Sequence, residues 1–285
     1  ELNGEVVSCD SMQVYRRMDI GTAKPSPEEM GGIPHHMIDV AEPEEDYSVS
    51  RYCAAAAPIV EDIVARGKTA IIAGGTGLYM DSLIRGNDFA PFPSTGVRER
   101  LEAQADAEGM EAMAAWLRGV DPEAAERIHD RKRLLRALEV YLETGQTITE
   151  HNRRTQAIPP KFSPVWLGLD FEDRQRLYDR IDLRVTKMLE MGLLEEIQGL
   201  LDSGVPETAT AMQAIGYKEF VNALAGRETV EAAADQVRQS SRRYAKRQLT
   251  WFRRNKAMHW LIRGERTVGE EIFRSARQLL REIDS

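Results

Sequence analysis

Short runs of consecutive apolar residues punctuate the chain at 5–9, 69–73, 165–171 and 258–262. The first three are rich in Val and Ile, and all four read as buried strands. Between them the apolar positions recur at helical spacing. Tyr52 to Arg66 predicts one helix closed by Gly67, and the stretches 174–191 and 193–201 predict two more, ending near Gly192 and Gly204. Thr229 opens a long helix with Glu231 and Asp235 early and basic residues late, a polarity that suits the helix dipole. Strands alternating with helices predict a parallel α/β sheet. The region 97–145 has a different texture. Val97 to Arg118 is charged and rich in Ala and Met, Asp121-Pro122 starts a second helix, and 131–144 forms a third, ended by Gly145. With no strand signal in it, the stretch 96–131 is expected to be an α-helical insertion, flanked by a core of residues 1–95 and 132–285. Arg153 to Pro164, with three prolines, is expected to loop back to that core.

Composition narrows the class. A chain of 285 residues suits one large domain, or one domain carrying an insertion. Its longest apolar runs fall far short of the ~20 residues that span a membrane, and no secretory leader opens it. A cytoplasmic protein is expected. Cys9 and Cys53 lack metal or redox spacing, and the five histidines, His35-His36 included, lack HxxxH-type spacing. A net charge of −8, evenly spread, would argue against nucleic acid. It is not evenly spread. The segment 238–256 holds eight basic residues and no acidic one.

Two strand ends carry candidate chemistry, since ligands of open parallel sheets sit beyond the carboxyl ends of the strands. After the first strand come Asp10, Ser11, Met12 and Gln13. Asp10 reads either as a cap on the following turn or as a carboxylate placed to act as general base. After the second come Gly74, Gly75, Thr76 and Gly77. That turn is explained equally by tight chain reversal and by the close approach of an anion to backbone N–H groups. In the basic segment Arg243, Lys246, Arg247 and Thr250 share one side of a helix, while Leu249 and Phe252 recur on another. The cations are either a solvated helix end or phosphate ligands. Lys132, Arg133, Leu134, Leu135 and Arg136 lie on an amphipathic helix. Gln213, Ala214, Ile215, Gly216, Tyr217 and Lys218 suggest a close backbone approach at a helix start.

Taken together, these segments resemble one family. Asp10-Ser-Met-Gln-Val-Tyr-Arg with Met18-Asp-Ile-Gly-Thr-Ala-Lys-Pro is similar to the bacterial tRNA dimethylallyltransferases, also called isopentenyl-pyrophosphate:tRNA transferases. So are Gly74-Gly-Thr-Gly-Leu-Tyr, Arg133-Leu-Leu-Arg-Ala-Leu-Glu-Val-Tyr, Gln213-Ala-Ile-Gly-Tyr-Lys and Lys246-Arg-Gln-Leu-Thr-Trp-Phe-Arg. The resemblance implies a P-loop-kinase-like parallel sheet flanked by helices, with an α-helical insertion domain. It implies transfer of a dimethylallyl group from dimethylallyl diphosphate to N6 of adenosine 37, with Mg²⁺ as cofactor and the tRNA anticodon stem-loop as partner, by a monomer. By position, Asp10 matches the general base, and Ser11, Met12 and Gln13 match the segment holding the extruded adenine. Thr76 matches the threonine near the diphosphate bridging oxygen. Arg98, Lys132, Arg133, Leu134, Leu135 and Arg136 match tRNA-contact positions. So do Gln213, Ala214, Ile215, Gly216, Tyr217 and Lys218, and also Lys246, Arg247, Gln248, Leu249, Thr250, Trp251, Phe252 and Arg253. Lys246 and Arg247 also match positions near the diphosphate.

One departure is large. The family opens with a Gly-Pro-Thr-Ala-x-Gly-Lys-[Ser/Thr] loop, and this sequence starts at Glu1 with no Gly-x-x-x-x-Gly-Lys anywhere. An N-terminal truncation is expected, taking with it the metal-ligating hydroxyl, so that the chain as given is expected to bind diphosphate poorly and to catalyse little or nothing. Two other readings stay in play: a P-loop kinase acting on a small acceptor, and a non-catalytic RNA-binding protein.

Overall fold

The computed structural model describes residues 2–86, 95–264 and 269–283. Its chain divides into two compact units, Glu1–Ile84 with Phe162–Ser285, and Arg85–Lys161. The first unit starts with β1 (Gly4–Ser8), α1 (Pro27–Met30), β2 (His35–His36), α2 (Val49–Ala65), β3 (Thr69–Ala73) and α3 (Gly77–Arg85). β1 lies between β2 and β3 in a three-stranded parallel sheet, with Glu5 opposite Ala70 and Val7 opposite both Ile72 and His36. Parallel neighbours need a crossover, and α2 supplies the one into β3. Its buried face, Tyr52, Cys53, Ala56, Val60 and Ile63, follows helical spacing. β2 lies outside the expected strands, because two histidines give no apolar signal.

The second unit is all helical: α4 (Val97–Glu108), α5 (Met110–Val120), α6 (Pro122–Arg127), α7 (Arg131–Thr144) and α8 (Ile148–Ala157). Gly109, at φ 84°, divides the expected single helix 97–118 into α4 and α5. The unit is wider than the expected 96–131. Leu134, Leu135 and Leu138 of α7 share one core with Val97, Leu101 and Met113, so α7 belongs with α4 and α5. Residues 87–94, just before the expected boundary, lie outside the described residues. The expected loop from Arg153 begins later. Thr147 and Glu150 form a capping box that starts α8, and the helix runs to Ala157, just before Pro159-Pro160. Buried Asp121 ties the unit together by accepting from the Ala124 and Thr149 N–H groups and the Thr149 hydroxyl.

The first unit resumes with β4 (Trp166–Phe171), α9 (Arg174–Glu190), α10 (Leu193–Asp202), α11 (Lys218–Leu224), α12 (Val230–Phe252), β5 (Met258–Arg263) and α13 (Gly269–Ile283). β4 and β5 pair in parallel, from Trp166 opposite Met258 to Phe171 opposite Arg263. α13 adds a helix beyond those expected; it is amphipathic and buries none of its residues fully. Among the described residues no helix is long and apolar enough to cross a membrane.

Candidate active site

Beyond Ser8 the chain turns rather than entering a helix, and the turn is stitched to the end of β3. The Cys9 N–H donates to the Ala73 carbonyl at 2.7 Å, and the Thr76 N–H donates to the Cys9 carbonyl at 3.2 Å. A side chain at Gly74 would sit 2.2 Å from that Cys9 oxygen, so glycine is what lets the two strand ends touch. The contact brings the two predicted clusters together. The Ser11 N–H donates to Thr76 Oγ1 at 3.0 Å, and the Thr76 and Ser11 hydroxyls are 3.3 Å apart.

Both readings of Asp10 hold at once, on different oxygens. Oδ1 accepts from the Met12 N–H at 2.8 Å and the Gln13 N–H at 3.3 Å, which caps the turn. Oδ2 accepts no hydrogen bond from the described residues and is left for chemistry. Gln13 is more constrained than expected. Its amide nitrogen donates to the Thr22 and Ala23 carbonyls at 3.3 and 3.2 Å, and its Oε1 accepts from the Ser8 hydroxyl at 2.9 Å. Both of its side-chain N–H groups are therefore spent, and one Oε1 lone pair remains to meet a ligand.

Two side chains absent from the expected site lie within electrostatic reach of Asp10. Desolvation pulls Arg184 of α9 below the usual guanidinium range, and the Asp10 carboxylate is close enough to push it back up. Tyr244 of α12 faces Thr76 and Gln248. Burial raises its phenol above the usual range, and the Asp10 charge adds to that. Neither has a distinguishing signal in the sequence: Arg184 is one arginine among several in 174–184, and Tyr244 lies inside a segment conspicuous for its cations.

The C-terminal half of α12 packs on the glycine turn. Gln248 donates to the Gly75 carbonyl at 3.0 Å, and the Trp251 indole N–H donates to Asp81 at 2.9 Å. A Cβ at Gly75 would lie 1.9 Å from the Gln248 amide nitrogen, and one at Gly77 would lie 2.4 Å from the Trp251 ring. Gln248 and Trp251 thus hold the turn. Arg253 holds the buried carboxylate of Asp170 at 2.8 Å. Leu249 and Phe252 are half-buried, and the Thr250 hydroxyl donates to the Lys246 carbonyl. Lys246 and Arg247 are exposed, the latter over the Tyr244 ring.

In the segment 213–218, Ala214, Gly216 and Tyr217 are buried, Ile215 is half-buried, and Gln213 and Lys218 are exposed. In the helical unit, Leu134 and Leu135 lie in the core, which leaves Lys132, Arg133 and Arg136 on the surface. Arg98 pairs with Glu102 at 2.7 Å and Glu139 at 3.8 Å, and Arg136 also reaches Glu139.

The family model described as IPP transferase matches residues 13–255. The chain belongs to the IPP transferase family. A tRNA dimethylallyltransferase of Thermoanaerobacter sp. (strain X514) is 46% identical over 92% of this chain and 84% of that protein. The structure of the full-length tRNA isopentenylpyrophosphate transferase from Bacillus halodurans is similar at TM-score 0.73 and 39% identity, over 99% of this chain and 89% of that one. A eukaryotic dimethylallyltransferase captured acting on tRNA is similar at TM-score 0.78 and 31% identity, over 93% of this chain and 68% of that one. In this member of the IPP transferase family, the Asp10 and Thr76 turns meet at the carboxyl ends of β1 and β3.

Proposed function

We propose that the protein transfers a dimethylallyl group from dimethylallyl diphosphate to N6 of adenosine 37, in the anticodon stem-loop of tRNA. Membership of the IPP transferase family supports the reaction class. One observation carries the mechanism: Asp10 has Oδ1 pinned by two backbone N–H groups and Oδ2 free, next to the 3.0 Å contact between Ser11 and Thr76. The N6 lone pair attacks C1 of the dimethylallyl group as the C1–O bond breaks. The N6 proton passes to Asp10 Oδ2, and diphosphate departs. The Thr76 hydroxyl, now turned to Ser11, can turn to the bridging oxygen, where negative charge grows. Arg184, Lys246 and Arg247 supply positive charge for the diphosphate and the RNA backbone. Tyr244, partly buried beside Thr76, helps keep water from the reacting carbon.

The described residues do not suit a protein-held magnesium. No three His, Cys, Asp or Glu side chains among them converge as ligands. Magnesium would come in on the diphosphate oxygens. The test is incubation of the full gene product with labelled dimethylallyl diphosphate and unmodified tRNA. Label is expected on the adenosine 3′ to the anticodon. An unlabelled tRNA that still binds would favour an RNA-binding protein instead, and phosphate transfer to a small acceptor would favour a kinase.

A further inference from the structure

The loop after Gln13 is held by a residue far away in sequence. Glu196, in the first turn of α10, aims its carboxylate at three successive backbone N–H groups. Oε2 accepts from Asp19 at 2.7 Å and Ile20 at 2.8 Å, and Oε1 accepts from Gly21 at 3.1 Å. The same Oε1 accepts from the Tyr217 hydroxyl at 2.6 Å. Tyr217 is fully buried, and its ring lies so close to Gly21 that a Cβ there would meet it at 2.4 Å. Among the described residues nothing else accepts from the Asp19 and Ile20 N–H groups, and the Gly21 N–H is shared between Glu196 and the Tyr217 oxygen. The three N–H groups point one way and need an anion, which Glu196 provides.

The clamp leads back to the reacting end. Next to it, the Thr22 hydroxyl closes the turn on the Met18 carbonyl at 2.5 Å. The carbonyls of Thr22 and Ala23 then receive both N–H groups of the Gln13 side-chain amide. The Gln13 backbone N–H in turn donates to Asp10 Oδ1. A hydrogen-bonded path therefore runs from Glu196 through one loop and one amide to the carboxylate. Lys24 ties the two ends of that loop together through Asp19, and anchors them to the Tyr15 carbonyl and Asp39.

We propose that Glu196, with Tyr217 as its partner, is a positioning residue for the transfer, acting on Asp10 through the 19–23 loop and Gln13. The assignment rests on the proposed reaction. It also explains why Tyr217, within the 213–218 segment, is buried: its hydroxyl orients a carboxylate and does not reach toward RNA.

The test compares wild type, Glu196→Gln, Gln13→Ala and the double variant. Glu196→Gln keeps size and swaps one acceptor for a donor that faces N–H groups. Its kcat at saturating substrates is expected to fall ten- to hundred-fold, roughly the scale of a misplacement near 1 Å. The KM for dimethylallyl diphosphate should stay within about twofold and the melting temperature within about 3 °C. In the Gln13→Ala background the same change should cost less than about threefold more, because the route is already cut. Amide hydrogen exchange at 18–24 should quicken at least about tenfold in Glu196→Gln, with β1 unchanged. Full additivity in the double variant overturns the route through Gln13. Unchanged kcat with faster exchange overturns the positioning role, and unchanged exchange overturns the clamp itself. A wild-type protein that transfers no label sinks the proposed reaction, and the exchange result then still decides whether Glu196 holds the loop.

Discussion

Gly74 is where the packing makes its sharpest demand, and Gly74→Ala tests it. The added Cβ would lie 2.2 Å from the Cys9 carbonyl oxygen, 2.4 Å from its carbon and 2.9 Å from its Cα. That is roughly 1 Å inside contact distance, and all three obstacles are backbone. The β1 and β3 ends must part. Doing so breaks the Cys9–Ala73 and Cys9–Thr76 hydrogen bonds, at 2.7 and 3.2 Å. Two backbone bonds at about 1 kcal/mol each, plus about 1–2 kcal/mol of overpacking strain, give a loss near 3–4 kcal/mol. Gly75→Ala is the control. Its Cβ meets only the end of the Gln248 side chain, which can swing aside and lose its 3.0 Å bond to Gly75. That should cost about 1 kcal/mol. Urea titration of wild type and both variants measures the difference, with the slope unchanged if only stability moves. Because Gly74→Ala also carries Thr76 away from Ser11, turnover should fall about a hundredfold even under fully folded conditions. A Gly74→Ala protein within about 0.5 kcal/mol of wild type, or no less stable than Gly75→Ala, would refute the close approach.

Three further outcomes follow from the same geometry. Asp10→Asn keeps an Oδ1 that caps Met12 and Gln13 but removes the base. Turnover should drop by roughly 10²–10⁴ in single-turnover assays while tRNA affinity, read by filter binding, stays within about tenfold. Lys246→Ala with Arg247→Ala should flatten the dependence of log tRNA affinity on log salt by about 1.5, and an unchanged slope would mean these exposed cations meet no phosphate. Buried Glu5 is held well below the usual carboxylate range by Arg66, then Lys68 and His36. Its folded pKa is lowered, so it adds stability above the ordinary value of 4.5 and loses it as pH falls below that value. Urea midpoints measured from pH 7 down to pH 3 should therefore fall less steeply in Glu5→Gln than in wild type.

Much of this structure can be read from residue pattern, and the misreadings have physical causes. Strands 69–73 and 258–262 are visible because parallel strands are continuous apolar runs. β2 is hidden because its backbone pairs with β1 while its side chains are two histidines, one bonded to Glu5. α8 occupies part of the expected loop because a capping box at Thr147 outweighs polar composition. Asp10 and Thr76 stand out at strand ends, where topology makes position meaningful. Arg184, Tyr244 and Glu196 do not. Each lies on the face of a helix whose own sequence shows only ordinary amphipathic spacing, so tertiary packing alone reveals them.

The segment 246–253 shows why a recognisable motif is not one function. A helix turns every 3.6 residues, so eight consecutive side chains cannot share a partner. Gln248 and Trp251 lie three apart and grip Gly75 and Asp81, and Arg253 turns to Asp170, while Lys246 and Arg247 stay in solvent. The gripping residues make the exposed ones useful. Because α12 is seated on the glycine turn, the cations at 246 and 247 keep a fixed distance from Thr76 and Asp10 without a flexible loop between them. Under the proposed reaction, the helix that meets phosphate is therefore also the helix that holds the leaving-group end of the site in register with the base. Loosening the Gln248 contact should then slow turnover before it weakens RNA binding, since it leaves every exposed charge in place.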